Sequence, residues 1–164
     1  MSGGRNSFGI TVDTSGLEAW LQQLGDEAEA AARPAAQAAA QVLYDEVKRN
    51  VASLKKHTGN LERSIYQAFS RDNSGTGFAT YHVSWNARKA PHGHLVEYGH
   101  LQRYEITYDP QTRRFTTHKD RPLAAPRQVA ARPFVRPAQA KFSQAMEAAK
   151  AELWKRLDAK IGKP

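Results

Sequence analysis

Hydrophobic positions along this chain recur with two periods. Between Asp26 and Leu54, Ala39, Leu43, Val47 and Val51 fall four apart, with Val42 and Leu54 flanking the same stripe. That spacing is one face of a long helix. Its early part is rich in alanine, which predicts close packing on a neighbouring helix, and Pro34 predicts a kink or a restart there. Upstream, Ser15-Gly16-Leu17-Glu18 has the hydroxyl-to-carboxylate spacing of a capping box. It predicts a helix with Leu17, Trp20, Leu21 and Leu24 on one face, interrupted at Gly25. At the other end, Ala138, Phe142, Met146, Ala149, Leu153, Leu157 and Ile161 form the stripe of a closing helix, with Trp154 beside it.

The second period is two. Phe8 to Asp13, Ile65 to Ser70 and Phe78 to Trp85 read as strands, with Arg71 to Gly77 as a hairpin loop. Before them, His57-Thr58-Gly59-Asn60 breaks the long helix, and Asn60 or Thr58 is placed to cap a short turn through Leu61-Glu62-Arg63-Ser64. Leu95-Val96-Glu97-Tyr98 suits either one helical turn or a short strand. Tyr104 to Tyr108, a turn at Asp109-Pro110-Gln111-Thr112, and Arg113 to His118 read as a second hairpin. Residues 119–133 hold three prolines and no period, and read as a loop.

The order strand, helices, sheet, helix predicts an α+β fold. A long N-terminal helix and a C-terminal helix pack on a mostly antiparallel sheet that carries an inserted hairpin. The expected organisation is one domain over 1–164, with a flexible start at 1–7 and the insertion at 100–131.

Arg132-Pro133-Phe134-Val135-Arg136-Pro137-Ala138 stands directly before the closing helix. Its two prolines fix the backbone on either side of an apolar pair. Pro137 sits where a first helical residue costs no hydrogen bond. The segment reads as an elbow that plugs into a body and turns into a helix.

Composition narrows the function. The chain has no cysteine, which excludes disulfides and thiolate metal sites and fits a reducing compartment. No run is long enough to span a bilayer, and Met1 to Ser7 lacks the apolar core of a signal peptide. A soluble protein made in the cytoplasm is expected. The formal charge of +8 is one-sided. Residues 1–100 balance ten Lys/Arg with ten Asp/Glu, whereas residues 101–164 set fourteen against six. A segment of that kind suits nucleic acid, an acidic partner or a membrane surface, or is simply a solvated basic face.

Reactive constellations are weak. His92, His94 and His100 with Glu97 supply metal-ligand types, but not at the helical spacing of a H-E-x-x-H site. Ser64, His57 and Asp72 lack nucleophile-elbow glycines. Ser74-Gly75-Thr76-Gly77 lacks the lysine and helix of a phosphate loop. Glu97 and Glu105 as a hydrolytic pair would need a defined separation. The expectation is no enzyme, no cofactor and no resident metal. More pronounced is a basic hairpin in which Arg103, Arg113, Arg114, Lys119 and Arg121 alternate with Tyr104, Tyr108 and Phe115. Such a surface suits non-specific, salt-dependent contact with DNA, or a protein interface.

Three blocks stand in order: Thr58-Gly59-Asn60-Leu61-Glu62-Arg63-Ser64-Ile65, then Leu95-Val96-Glu97-Tyr98-Gly99, then the Arg132–Ala138 elbow. With the helices outside them, they resemble the minor tail-component family of long-tailed bacteriophages and prophages, also described as tail-completion or head–tail joining (neck) proteins. The matching residues are Thr58, Gly59, Leu61, Ser64 and Ile65; Val96, Glu97, Tyr98 and Gly99; and Pro133, Phe134, Pro137 and Ala138. The resemblance implies that these are fold and ring determinants rather than a ligand site. It implies a non-enzymatic virion protein of the neck or tail, present in the host cytoplasm during assembly. A hexameric ring is implied, whose partners are copies of itself, a tail-terminator-type protein and head-connector proteins, with no membrane. Many relatives run almost directly from the V-E-[FY]-G block to the P-F block. The basic hairpin is therefore an insertion, facing either DNA or a neighbouring ring. Glu97 is expected to pair with a basic group at the sheet edge, on this subunit or its neighbour. An edge strand and the Ala-rich helix would supply the two unlike surfaces that a ring requires.

Overall fold

The computed structural model describes residues 10–12, 25–54, 58–112 and 114–161. The Ser15–Leu24 helix, His57, Arg113, the Met1–Ser7 start and the side chain of Ile161 lie outside the described residues. The fold is α+β, as the sequence predicts.

The first strand, β1 (Ile10–Val12), is followed by a 28-residue helix, α1 (Asp26–Ser53). A short helix, α2 (Asn60–Ser64), leads into a hairpin, β2 (Ile65–Gly75) and β3 (Phe78–Trp85). These strands make an antiparallel sheet of order β1-β3-β2. Next come α3 (Gly93–Tyr98) and a separate two-stranded ribbon, β4 (His100–Asp109) and β5 (Arg114–Val129). A 3-10 helix (Arg136–Lys141) opens into α4 (Phe142–Ile161).

The long helix lies between the sheet and α4. Its stripe Ala39, Leu43, Val47 and Val51 is buried as predicted, and so are Ala31, Ala32, Ala35, Ala36 and Ala40. The alanines let α4 approach through Ala145, Ala149, Leu153 and Leu157, all buried. Full burial of one Leu or Val side chain contributes about 1.5–3 kcal/mol. The Ala-rich surface is thus consumed inside the subunit and is not the free ring surface that the sequence suggested.

Several local readings are corrected. Pro34 does not restart α1, which runs through it. The missing N–H falls opposite the carbonyl of Ala30, an exposed residue where water can substitute. Neither Asn60 nor Thr58 is the N-cap of α2. Gly59 is, in the left-handed region at φ +71°, while Thr58 Oγ1 accepts the Asn60 N–H at 3.3 Å. Arg71 to Gly75 is not loop. Ser74 Oγ donates to the Ser70 carbonyl (2.6 Å) and accepts the Thr80 N–H (2.9 Å), so hydroxyls replace ladder bonds across a register shift. Only Thr76-Gly77 turns the chain.

Leu95 to Tyr98 is helical. Residues 119–129 are strand rather than loop, because Pro122 and Pro126 lie where the pairing with β4 shifts register around Tyr104, and bulges tolerate a residue without an N–H. In α4, Phe142 is exposed and Ala145 buried, since the tighter 3-10 turn changes the phase of the stripe.

Candidate assembly site: the Glu97 lock and the exposed ribbon

The second and third sequence blocks prove to be two halves of one structure. Glu97 is completely buried. Its Oε2 accepts the backbone N–H groups of Phe134 (2.7 Å) and Val135 (3.0 Å). Its Oε1 accepts the Arg136 N–H (3.1 Å) and the Arg136 Nε–H (3.0 Å). Arg136 Nη2 also donates to the Glu97 carbonyl at 2.6 Å, and the Arg132 N–H to the Val96 carbonyl at 2.8 Å. A buried carboxylate survives only when donors fill its lone pairs and a cation balances it. Here the elbow supplies both. The basic partner expected for Glu97 is therefore Arg136 of the same chain.

The elbow's apolar pair completes the lock. Phe134 and Val135 are fully buried, and Phe134 meets Trp85 edge-on at 5.5 Å. Gly93 makes room for that indole: a Cβ there would lie 2.3 Å from Trp85 Nε1. Asn50 on α1 donates to the Phe134 carbonyl at 3.0 Å. Arg136 lies 5.0 Å over the Tyr98 ring. Gly99 ends α3 at φ +73°, where a Cβ would sit 2.6 Å from the Val129 carbonyl and 2.8 Å from the Ala131 nitrogen. Only glycine lets the ribbon's two ends close at that point. Pro133 and Pro137 flank the plug, with Pro137 near the start of the 3-10 helix and Ala138 buried beneath it.

The first block is a separate corner. Arg63 folds back over Gly59, donating to the Thr58 carbonyl (2.9 Å) and to Asn60 Oδ1 (2.7 Å). Leu61 and Ile65 are buried, and Ser64 Oγ donates to the Leu61 carbonyl at 2.6 Å. Lys48 on α1 ties down the Glu62 carbonyl at 2.9 Å.

The ribbon has the opposite character. Tyr104, Ile106 and Tyr108 project on one face of β4 beside Phe115 and Thr117 of β5, and all are exposed. The Tyr108 and Phe115 rings meet at a tilt, with centroids 4.8 Å apart. The other face carries Glu105, Thr107 and Asp109 opposite Arg114, Thr116 and His118, with Thr107 Oγ1 2.8 Å from His118 Nε2. At the tip, a hydrogen bond from the Thr112 hydroxyl, then the Gln111 N–H, holds the Asp109 carboxyl below the usual carboxylate range. The basic residues are not gathered into one patch. Arg103 and Lys119 are exposed on β4 and β5, Arg114 faces Asp109 across the strands, and Arg121 lies near Glu105 (3.7 Å) and Asp120 (3.8 Å).

The reactive constellations are not assembled. Among the described residues, no three His, Asp or Glu side chains are placed to hold a metal, so His92, His94, His100 and Glu97 form no ligand set. Burial, and then the nearby His94, lowers the His92 pKa. Ser64 is committed to Leu61, and Asp72 is exposed on β2. Glu97 is committed to the elbow while Glu105 stands on the ribbon. Among the described residues, no helix is long and apolar enough to cross a membrane.

Sequence reasoning missed Arg136, Asn50 and Trp85 as members of the lock. The available signal was Glu97 itself, an acid inside an otherwise apolar turn, with an arginine waiting in the elbow.

A family model described as "Bacteriophage HK97-gp10, putative tail-component" matches residues 15–99, just over half of the chain. The match takes in the first two blocks and ends at Gly99, where the ribbon begins. No curated protein and no solved structure matches the chain.

Proposed function

The chain belongs to this bacteriophage HK97-gp10 tail-component family, and on that premise we propose that it closes into a ring at the head-proximal end of the tail, completing the tail or joining it to the head connector. A phage tail component is a structural part of the virion, so its work is assembly rather than turnover. The observation that carries the finer reading is the joining of the second and third blocks into one lock, with the first block tied to the long helix at a separate corner and a long ribbon standing outside. In this reading Thr58, Gly59, Leu61, Ser64 and Ile65 hold one corner. Val96, Glu97, Tyr98, Gly99, Pro133, Phe134, Pro137 and Ala138 hold the lock that presents the ribbon at a fixed angle. The ring, of six copies, sits between a tail-terminator-type protein and the head connector. Its subunits meet through unlike surfaces, as a cyclic ring requires.

Electron microscopy of particles from a null mutant tests this reading. Unjoined heads and tails, or tails lacking their head-proximal end, are expected. Normal joined particles would refute it.

A second reading, non-specific nucleic-acid binding, is favoured by the basic excess of residues 101–164. It predicts tight binding of DNA by the isolated chain with a steep salt dependence. The ion pairs that Arg121 makes with the ribbon's own carboxylates weigh against it.

A further inference from the structure

We propose that the ribbon is an arm by which one copy of this chain grips the next, β4 adding as an extra strand to the outer edge of β2 in a neighbouring copy. The inference deepens the ring reading and rests on it for the identity of the partner.

A two-stranded ribbon with little else packed on it is marginal in water. This one keeps Tyr104 at 37%, Ile106 at 41%, Tyr108 at 37% and Phe115 at 52% exposure. Away from its base, its strands pack chiefly on each other. An exposed aromatic face of that kind marks a contact surface. From Ile106 to Tyr108 and their partners Phe115 and Thr117, that face bears no arginine, which makes protein a better occupant than a phosphate backbone.

The strand edges narrow the choice. In the ribbon, β5 is broken towards its base by register shifts and by Pro122 and Pro126, so its outer edge can continue a ladder only over the short stretch from Arg114 to His118. In β4 there is no proline over its 10 residues. In the sheet, β2 is an edge strand of 11 residues, also without proline, paired only with β3 among the described residues. The regularly paired stretches of the two strands, Ile65–Ser70 in β2 and Glu105–Asp109 in β4, are of similar length. Beside the β2 edge, Tyr66 and Ala68 are exposed on one face, so an incoming β4 would lay Tyr104, Ile106 and Tyr108 alongside them. Donor edge and acceptor edge lie on different parts of each copy. The contact is therefore head-to-tail, the type that closes a ring.

The cysteine-free chain permits a direct test. Tyr66→Cys is combined in turn with Tyr104→Cys, Ile106→Cys or Tyr108→Cys in the full chain, and each single variant is kept as a control. Neighbouring strands bring facing Cα atoms within disulfide range. Oxidation of the purified chain at high concentration, and of cells producing particles, is followed on non-reducing gels. At least one double variant should shift to a ladder of multimers, while the single variants stay monomeric. Dimers from a β4 single variant alone would show β4–β4 pairing and overturn the proposal. So would the absence, in both settings, of any cross-link through the thiol introduced by Tyr66→Cys, or protection of the ribbon by DNA alone. Cross-linking together with normal joined particles in the null mutant would keep the arm and refute the neck role, so the two failures are distinguishable.

Discussion

Glu97 and Glu105 are near neighbours in the chain and opposites in the molecule. Glu97 is sealed from water and accepts four N–H groups from the elbow. The Glu105 side chain is half exposed and reaches one arginine at 3.7 Å. The first sits in a body whose parts are mutually indispensable. The second sits on a ribbon that the body carries but does not need for its own core. The two regions are separable because Gly99 and Val129 bring the ribbon's two ends back together at its base.

Glu97→Ala should have the largest effect on this contrast. It leaves the elbow's buried donors without an acceptor and should cost about 3–5 kcal/mol, against less than about 0.5 kcal/mol for Glu105→Ala. Chemical denaturation of the two variants measures both. Equal losses would erase the distinction.

Phe134→Ala empties the pocket against Trp85 and should cost about 3–5 kcal/mol. An unchanged denaturation midpoint would show that the elbow is not anchored by its aromatic ring.

Gly99→Ala forces a Cβ towards the Val129 carbonyl from a positive φ, at a cost of about 1–3 kcal/mol. Its thermal midpoint should fall by more than that of Gly77→Ala, where φ is also positive but no atom lies within 4 Å of the added Cβ.

Phe115→Ser should change stability by less than about 0.5 kcal/mol, yet it should reduce multimer formation. Sedimentation separates the two outcomes.

The smallest effect concerns His92, whose pKa lies below its ordinary 6.5 in the folded chain. Between the lowered value and 6.5 the unfolded chain binds more protons, so stability should decline slightly as pH falls through that window. His92→Gln should flatten that decline in a pH series of denaturation midpoints.

Elements with a strong period were legible in the sequence. The Ala39–Val51 stripe, the β2–β3 pairing and the burial of Phe134 and Val135 follow from spacing and from the prolines around them. What spacing could not carry is a contact across sequence. Nothing local says that Glu97 meets Phe134, Val135 and Arg136, because the lock forms only when α3 and the elbow are brought together by the core. The ribbon's length was hidden for a different reason. Pro122 and Pro126 signal a break, and the register shifts that accommodate them leave no mark in hydrophobic pattern. At Pro34 the helix is held by burial on both sides, and tertiary packing overrides a local breaker. The candidate surface was half legible. Its basic residues and the aromatics Tyr104, Tyr108 and Phe115 were found, but that these aromatics share one face with Ile106, apart from the arginines, emerges only from the register.

The sharpest test of the division between body and ribbon is the unfolding of a chain in which residues 102–127 are replaced by a short Gly-Ser turn joining Leu101 to Gln128. These two residues face each other at the ribbon's base. A single cooperative transition with a midpoint near that of the full chain is predicted. Loss of the cooperative transition would show that the ribbon is part of the folded body and that the division does not exist.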